Sequence, residues 1–385
     1  MSGAIVRLRD VVEINPGMRV GDVLEKEVCF VAMADVSEAG RITNFQTRPL
    51  LEVSKGYTSF CQGDVLLAKI TPCFENGKAA VVDRLASSVG FGSTEFHVLR
   101  PSDEINGRFL FHLIWNPLFR RLGAKRMTGS AGQKRVPTAF LAEYEFQLPP
   151  LAEQKRIATI LDKADGLRRK RLKAIRLADE FLRAVFIDMF GDPVSNPKAW
   201  KVKSLADLGS LDRGVSKHRP RNDPSLLGGS HPLIQTGEVA NCDGYIRTYT
   251  STYSDKGLDQ SKLWPAGTLC ITIAANIAKT GILLFPACFP DSVVGFTASE
   301  TATVEYVRFW LSFLQKTLEA NAPESAQKNI NLAILRNLQV PVPPIDLIRK
   351  FAAVVSATES IRVAQRKSVQ EGLLLSASLQ HELLA

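Results

Sequence analysis

Few residues in this sequence stand at spacings that could do chemistry, and each has a competing reading. Glu153-Gln154-Lys155 has the carboxylate-x-lysine spelling of a metal-dependent nuclease. It opens a helical pattern directly after Pro150, however, where a carboxylate favours the positive end of the helix dipole. Asn116-Pro117-Leu118-Phe119 approaches the Asn-Pro-Pro-aromatic loop with which an amino-methyltransferase grips a flipped base. Leu118 replaces the second proline, and the segment lies inside a helical pattern. Gly90-Phe91-Gly92-Ser93-Thr94-Glu95 lacks the third glycine of a dinucleotide loop and reads as a loop joining strands; a GxxxxGK[ST] phosphate loop is absent. His97, His112, His218, His231 and His381 are isolated, with no serine or cysteine nucleophile placed beside one. Cys29, Cys61, Cys73, Cys242, Cys270 and Cys288 show no CxxC spacing, which suits reduced thiols of a cytoplasmic protein better than zinc. The expectation is a non-catalytic chain without cofactor or metal.

What remains is charge. The formal net charge is +9 and the pI about 9.3, an excess that favours a polyanion, because Lys and Arg on phosphates release condensed counterions. No basic start followed by an apolar run opens the sequence, and the longest apolar stretch, around Ile282 to Phe289, is interrupted by Pro286. No membrane is expected.

The elements that must carry these residues follow from an internal repeat. Gln133-Lys134-Arg135-Val136, followed at a fixed distance by Pro149-Pro150, matches Gln327-Lys328-Asn329-Ile330 and Pro343-Pro344. Phe60 to Leu67, an aromatic residue, a Gly-centred turn and an apolar strand, matches Trp264 to Ile271. Asn76-Gly77 before Ala79 to Val82 resembles Thr280-Gly281 before Ile282 to Phe285, and Gly90-Phe91 resembles Gly295-Phe296. Residues 1–150 and 196–344 therefore read as duplicated α+β domains, with amphipathic helices near Phe109 to Arg121 and Val307 to Glu319.

After each proline pair the pattern becomes helical. Leu151 to Phe190 holds no proline and one glycine, with an apolar stripe through Ile157, Ile160, Leu161, Ala164 and Leu167 that resumes at Ile175. Gly191-Asp192-Pro193 stops it. Residues 345–385 repeat the arrangement through Phe351, Val354, Val355 and Ile361. Residues 151–195 and 345–385 are thus helical spacers, expected to pair as an antiparallel coiled coil with the two domains toward opposite ends.

Leu148-Pro149-Pro150-Leu151-Ala152-Glu153-Gln154-Lys155-Arg156-Ile157, with Asp162-Lys163-Ala164-Asp165 and Met189-Phe190-Gly191-Asp192-Pro193, resembles the central region of specificity subunits of type I restriction-modification enzymes. The stretches Gly129 to Arg135 and Trp200 to Leu205 resemble that family too. Leu347-Ile348 departs from it, standing where the family's Glu-Gln belongs. The resemblance implies two target recognition domains, each reading half of a split site in double-stranded DNA. Their paired helices would fix the gap and dock two methyltransferase subunits, which bring S-adenosylmethionine, and restriction-motor subunits. A specificity subunit of a fused restriction-methylation enzyme, or a stand-alone DNA-binding scaffold, are the alternatives.

Polar and basic loop residues are the expected DNA contacts, since Arg, Lys, Gln and Asn reach phosphates and base edges. In the first half these are Lys69, Lys78, Ser130, Gln133, Lys134 and Arg135. In the second they are Lys217, His218, Arg219, Arg221, Lys279, Gln327, Lys328 and Asn329.

Overall fold

The computed structural model describes residues 3–17, 25–130, 132–274, 277–320 and 330–384. The chain divides into two units: Met1–Leu172 with Lys367–Ala385, and Lys173–Arg366. Each unit holds one α+β domain and a section of both long helices.

In the first unit, strand Ala4–Arg7 pairs antiparallel with Glu145–Leu148, so the domain's first strand lies on its last. Between them stand two four-stranded sheets. One runs in the order Gln46–Pro49, Glu27–Val31, Gly90–Gly92, Thr58–Phe60; the other runs Val12–Ile14, Phe96–Pro101, Val65–Ala68, Ala79–Val81. Gly90–Gly92 is thus itself a strand and not the joining loop expected from its composition. A side chain at Gly90 has no room: a Cβ there would run into the Phe60 ring on the neighbouring strand. The helical stretch near Phe109 is two helices, Gly107–Trp115 and Pro117–Lys125. Asn116 separates them, and its side chain accepts the Leu118 amide at 2.7 Å while Pro117 takes the first helical position. The motif that resembled a base-gripping loop is a helix cap, with Phe119 buried beneath it.

The second unit repeats the plan. Lys201–Ser204 pairs with Gln339–Val342. One sheet runs Ser251–Tyr253, Leu227–Leu233, Ala287–Cys288, Leu263–Trp264; the other runs Ser210–Arg213, Val293–Thr297, Leu269–Thr272, Thr280–Leu283, Gly244–Ile246. Helix Thr301–Ala320 covers the second sheet.

Strand register shows which of the sequence matches are true counterparts. Val136 donates its amide to Lys69 O at 2.8 Å, and Ile330 donates to Ile273 O at 3.0 Å, so the residues that follow the two Gln-Lys blocks, and the aromatic-Gly strands they bond beside, correspond. Two matches are corrected. Leu67 faces Ala79 and Ile271 faces Thr280, so Thr280-Gly281 corresponds to Ala79-Ala80 rather than to Asn76-Gly77. Phe60 faces Gly90 while Trp264 faces Ala287, so Ala287 is the counterpart of Gly90; Gly295 comes from another strand. Short apolar strands look alike when slid by a residue or two, and only hydrogen-bond partners fix their register.

The long helices span Leu151–Phe190 and Ile345–Leu384. Gly191 ends the first with φ +82°, a left-handed cap. In the second unit the pair runs antiparallel: Phe190 packs on Phe351, and farther back along the first helix Asp179 meets Arg362. Leu182, Phe186 and Phe190 share a core there with Tyr306, Trp310, Ile348, Phe351 and Val355. In the first unit Ile157, Ala158 and Leu161 join the domain core, and Leu379 of the second helix packs against that core.

The start of the first helix is bolted to its domain by Gln154, which is fully buried. Its Nε2 donates to Glu104 O at 2.9 Å and Pro149 O at 2.8 Å, and its Oε1 accepts from the Asn106 amide at 2.7 Å. In the second half the corresponding residue is Ile348, buried among apolar neighbours. Glu153 binds Arg156 and lies on this helix, not in a nuclease centre.

Candidate nucleic-acid interface

In the first unit the strand Val65–Ala68 runs out into a corner built from three chain segments. Ile70 and Thr128 both bridge to Arg135, and Thr71 donates its amide to Lys134 O at 2.9 Å. These bonds bring Lys69, Gln133, Lys134 and Arg135 together, with exposed Ser130 across a turn in which the Gln133 amide donates to Ser130 O. Gln133 and Lys134 are exposed; Lys69 is half-buried. Arg135 is not free. Its Nε and Nη2 donate to Glu95, with Nη2–Oε1 at 2.8 Å, and its Nη1 reaches Gln133 O at 3.3 Å. It braces the turn that presents Gln133 and Lys134. The Arg135 hydrogen bond lowers the Glu95 carboxyl below its ordinary range, against a smaller opposing effect of burial.

Lys78 enters the same corner through its backbone, accepting the Ala68 amide at 2.9 Å, but its Nζ turns back onto Met33 O at 3.1 Å. Lys279 is its counterpart in the second unit: Thr272 donates to Lys279 O at 3.0 Å, and Lys279 Nζ lies 3.4 Å from Gln315 Oε1. Two lysines chosen from the sequence separately thus prove to be one position used twice.

The remaining basic residues of the second unit sit on the loop after Ser210–Arg213. Lys217 is exposed, the His218 amide donates to Gln260 Oε1 at 3.0 Å, and the His218 ring lies 3.3 Å from Asp223. Asp223 is held below the usual carboxylate range, first by Ser225 and then by His218. Arg221 pairs with Asp291 at 2.6 Å, and Arg219 stands 3.8 Å from the same carboxylate. Asp291 lies two residues before Val293, the start of the strand that corresponds to Phe96–Pro101. Each unit therefore has an arginine–carboxylate brace ahead of the same strand, drawn from a different loop. Gln327, Lys328 and Asn329 lie outside the described residues; Ile330, which follows them, is bonded to Ile273.

Sequence reasoning missed Glu95 and Asp291, whose importance rests on arginines far along the chain. It also missed Arg213 and Asn331, which line a cleft of about 310 Å³ with Arg221, Asp291 and Ser292. Arg213 precedes the basic loop and Asn331 follows the Gln-Lys-Asn block, so proximity to those segments was the available signal. Among the described residues no group of three or more His, Cys, Asp or Glu could hold a metal ion, and no helix is long and apolar enough to cross a membrane.

The family model described as the type I restriction modification DNA specificity domain matches residues 4–177 and again 197–362. The chain belongs to this family. The relatives it is similar to are specificity subunits of type I restriction enzymes. It is 45% identical over 152 residues to the EcoAI specificity subunit of Escherichia coli and 44% over 160 residues to the EcoEI specificity subunit. Those stretches cover 39% and 41% of this chain but only 26% and 27% of the relatives. The putative MjaX specificity subunit of Methanocaldococcus jannaschii is 21% identical over 80% of this chain and 74% of its own. Among solved structures, the S subunit from M. genitalium superposes with a TM-score of 0.60 at 13% identity, covering 100% of this chain and 96% of the other. A chain from a study of type I complex assembly and conformational transition gives 0.57 at 18% identity, covering 99% and 97%. These likenesses show the fold.

Proposed function

We propose that this chain reads a split target in double-stranded DNA, one block of bases per domain, and seats methyltransferase and restriction-motor subunits. The observation that carries this is one backbone bond made in each unit, Val136 to Lys69 and Ile330 to Ile273, which ties equivalent points of two domains whose polar segments before Val136 and Ile330 differ in sequence. A shared scaffold with divergent polar loops suits two readers of two different base blocks. The net charge of +9 supplies the non-specific attraction to phosphates. Forty residues of helix in each spacer, about 60 Å at about 1.5 Å per residue, set the gap between blocks. Base methylation and cleavage belong to the partner subunits.

The test is a genome-wide map of methylated adenines in the source cell, with and without the gene. Loss of methylation at one motif, two short blocks around a fixed gap, supports the reading. An unchanged map in a cell that expresses the chain counts against it.

A further inference from the structure

We propose that two polar contacts between the long helices, Arg362 with Asp179 and Arg171 with the Gly372 face, lock their axial register and thereby the number of base pairs between the two blocks. The second clause of this inference rests on the split-target reading; the first stands on geometry alone.

Arg362 is a charge buried to 4% exposure within the second unit's helix pair. Its Nη2 meets Asp179 of the first helix at 2.9 Å, and its Nη1 meets Glu359 of its own helix at 2.7 Å. Glu359 cannot turn away with it, because Arg247 of the domain also binds that carboxylate, and Arg366 is held by Asp243 at 2.9 Å. The guanidinium thus has one cross-helix acceptor in a fixed place. One helical turn either way, the residues reaching Arg362 would be Ile175 and Arg176, or Leu182 and Arg183. None of these accepts a hydrogen bond, and two carry the same charge. A slipped pair keeps the bridge to Glu359 but leaves the other nitrogen of a buried guanidinium without its cross-helix acceptor and beside like charge, the circumstance in which a polar contact specifies register.

The second contact works through shape. In the first unit Arg171 Nη1 donates to Ser368 O at 2.8 Å, lying over Gly372, where a Cβ would stand 3.4 Å from it. Gly372 is the single glycine of the second helix. A slip of one turn would put Ser368, Val369, Leu375 or Ser376 beneath the guanidinium, so only the observed register sets a residue with no side chain there. Aligning the repeats on their proline pairs maps Glu359–Arg362 onto Asp165–Arg168, which form the same i,i+3 bridge. The counterpart of Asp179 is then Leu373, half-exposed and uncharged. The first unit has no copy of the acid, so the charged lock acts in the second unit only.

A one-turn slip displaces the helices by about 5.4 Å, close to one or two base-pair steps of about 3.4 Å each. The test uses the full chain with Asp179→Leu and Arg362→Leu together, an apolar pair that leaves no orphaned charge. Spin-labelled residues replace Glu180 and Lys350, both exposed in the second unit. The unmodified lock should give one distance; the double variant should give a second population displaced by about 5 Å. In cells, the double variant should methylate the same two blocks at additional gaps differing by one or two base pairs. A single unchanged distance in the folded variant overturns the lock and assigns register to the Phe186, Phe190 and Phe351 packing instead. If the double variant does not fold, Asp179→Asn, which keeps the volume, is judged by the same distances. Should the parent map show no split motif, the reading of function falls while the distances still judge the lock.

Discussion

Replacing Gln154 by isoleucine, the residue that the second half carries at the corresponding position, should destabilise the first unit without opening a cavity. Three hydrogen bonds go with the amide: Nε2 to Glu104 O and to Pro149 O, and the Asn106 amide to Oε1. Each is worth about 1 kcal/mol net, and leaving buried partners unpaired raises the cost, so the loss is about 3–5 kcal/mol. In a domain of about 150–250 residues each kcal/mol moves the melting midpoint by about 2–4 °C. Scanning calorimetry on the full chain should therefore show the first unit's transition falling by at least about 6 °C while the second unit's holds. The reciprocal change, Ile348→Gln, buries an unpartnered amide and should lower the second transition instead. A fall of less than about 1 kcal/mol for Gln154→Ile would falsify the view that this amide bolts helix to domain.

Replacing Gln133, Lys134 and Arg135 by alanine should weaken recognition of one DNA block and leave the other intact, as read by methylation of targets mutated in each block. Equal loss at both blocks in a folded protein would count against independent readers. The Glu95–Arg135 brace gives a pH dependence of known sign. Glu95 has a folded pKa depressed below the ordinary 4.5, so its stabilisation is present above that value and lost as pH falls through the folded one. Amide exchange at Thr128 and Arg135, corrected for intrinsic rate, should lose protection over that window; Glu95→Gln should show the loss already at neutral pH. Asp162 should behave alike. Burial raises its carboxyl, but the bonds from His112 and Arg108 outweigh this and hold it low, so Asp162→Asn should shift acid unfolding of the first unit to higher pH. Finally, Gly90→Ala drives a methyl into the Phe60 ring and should cost about 1–3 kcal/mol by denaturant unfolding; no change would mean the ring can move aside.

The helices were legible because their signals are local and long. Proline pairs at their starts, an unbroken apolar stripe and Gly191 at the end define Leu151–Phe190 without help from the rest of the chain. The duplication was legible where it involved a distinctive block such as Gln133 to Val136, and misread where it rested on glycine beside apolar residues. Gly90 and Gly295 both seat an aromatic ring, on Phe60 and Trp264, yet from strands that do not correspond. Like packing had drawn like residues to different places. At the candidate interface, composition picked out the corner but not the state of each side chain. Arg135 and Arg221 looked like free cations, and their acceptors, Glu95 and Asp291, stand 40 and 70 residues away.

The pairing of first strand with last has a further consequence. Ala4 faces Leu148, and Lys201 faces Val342, so in each domain the chain enters and leaves at neighbouring points, the exit running directly into a long helix. A domain so closed behaves as a cassette. One exchange of genetic material between the strand pair's ends would install a new domain on unchanged helices; if the proposed function holds, the lineage would gain a new half-target in a single event.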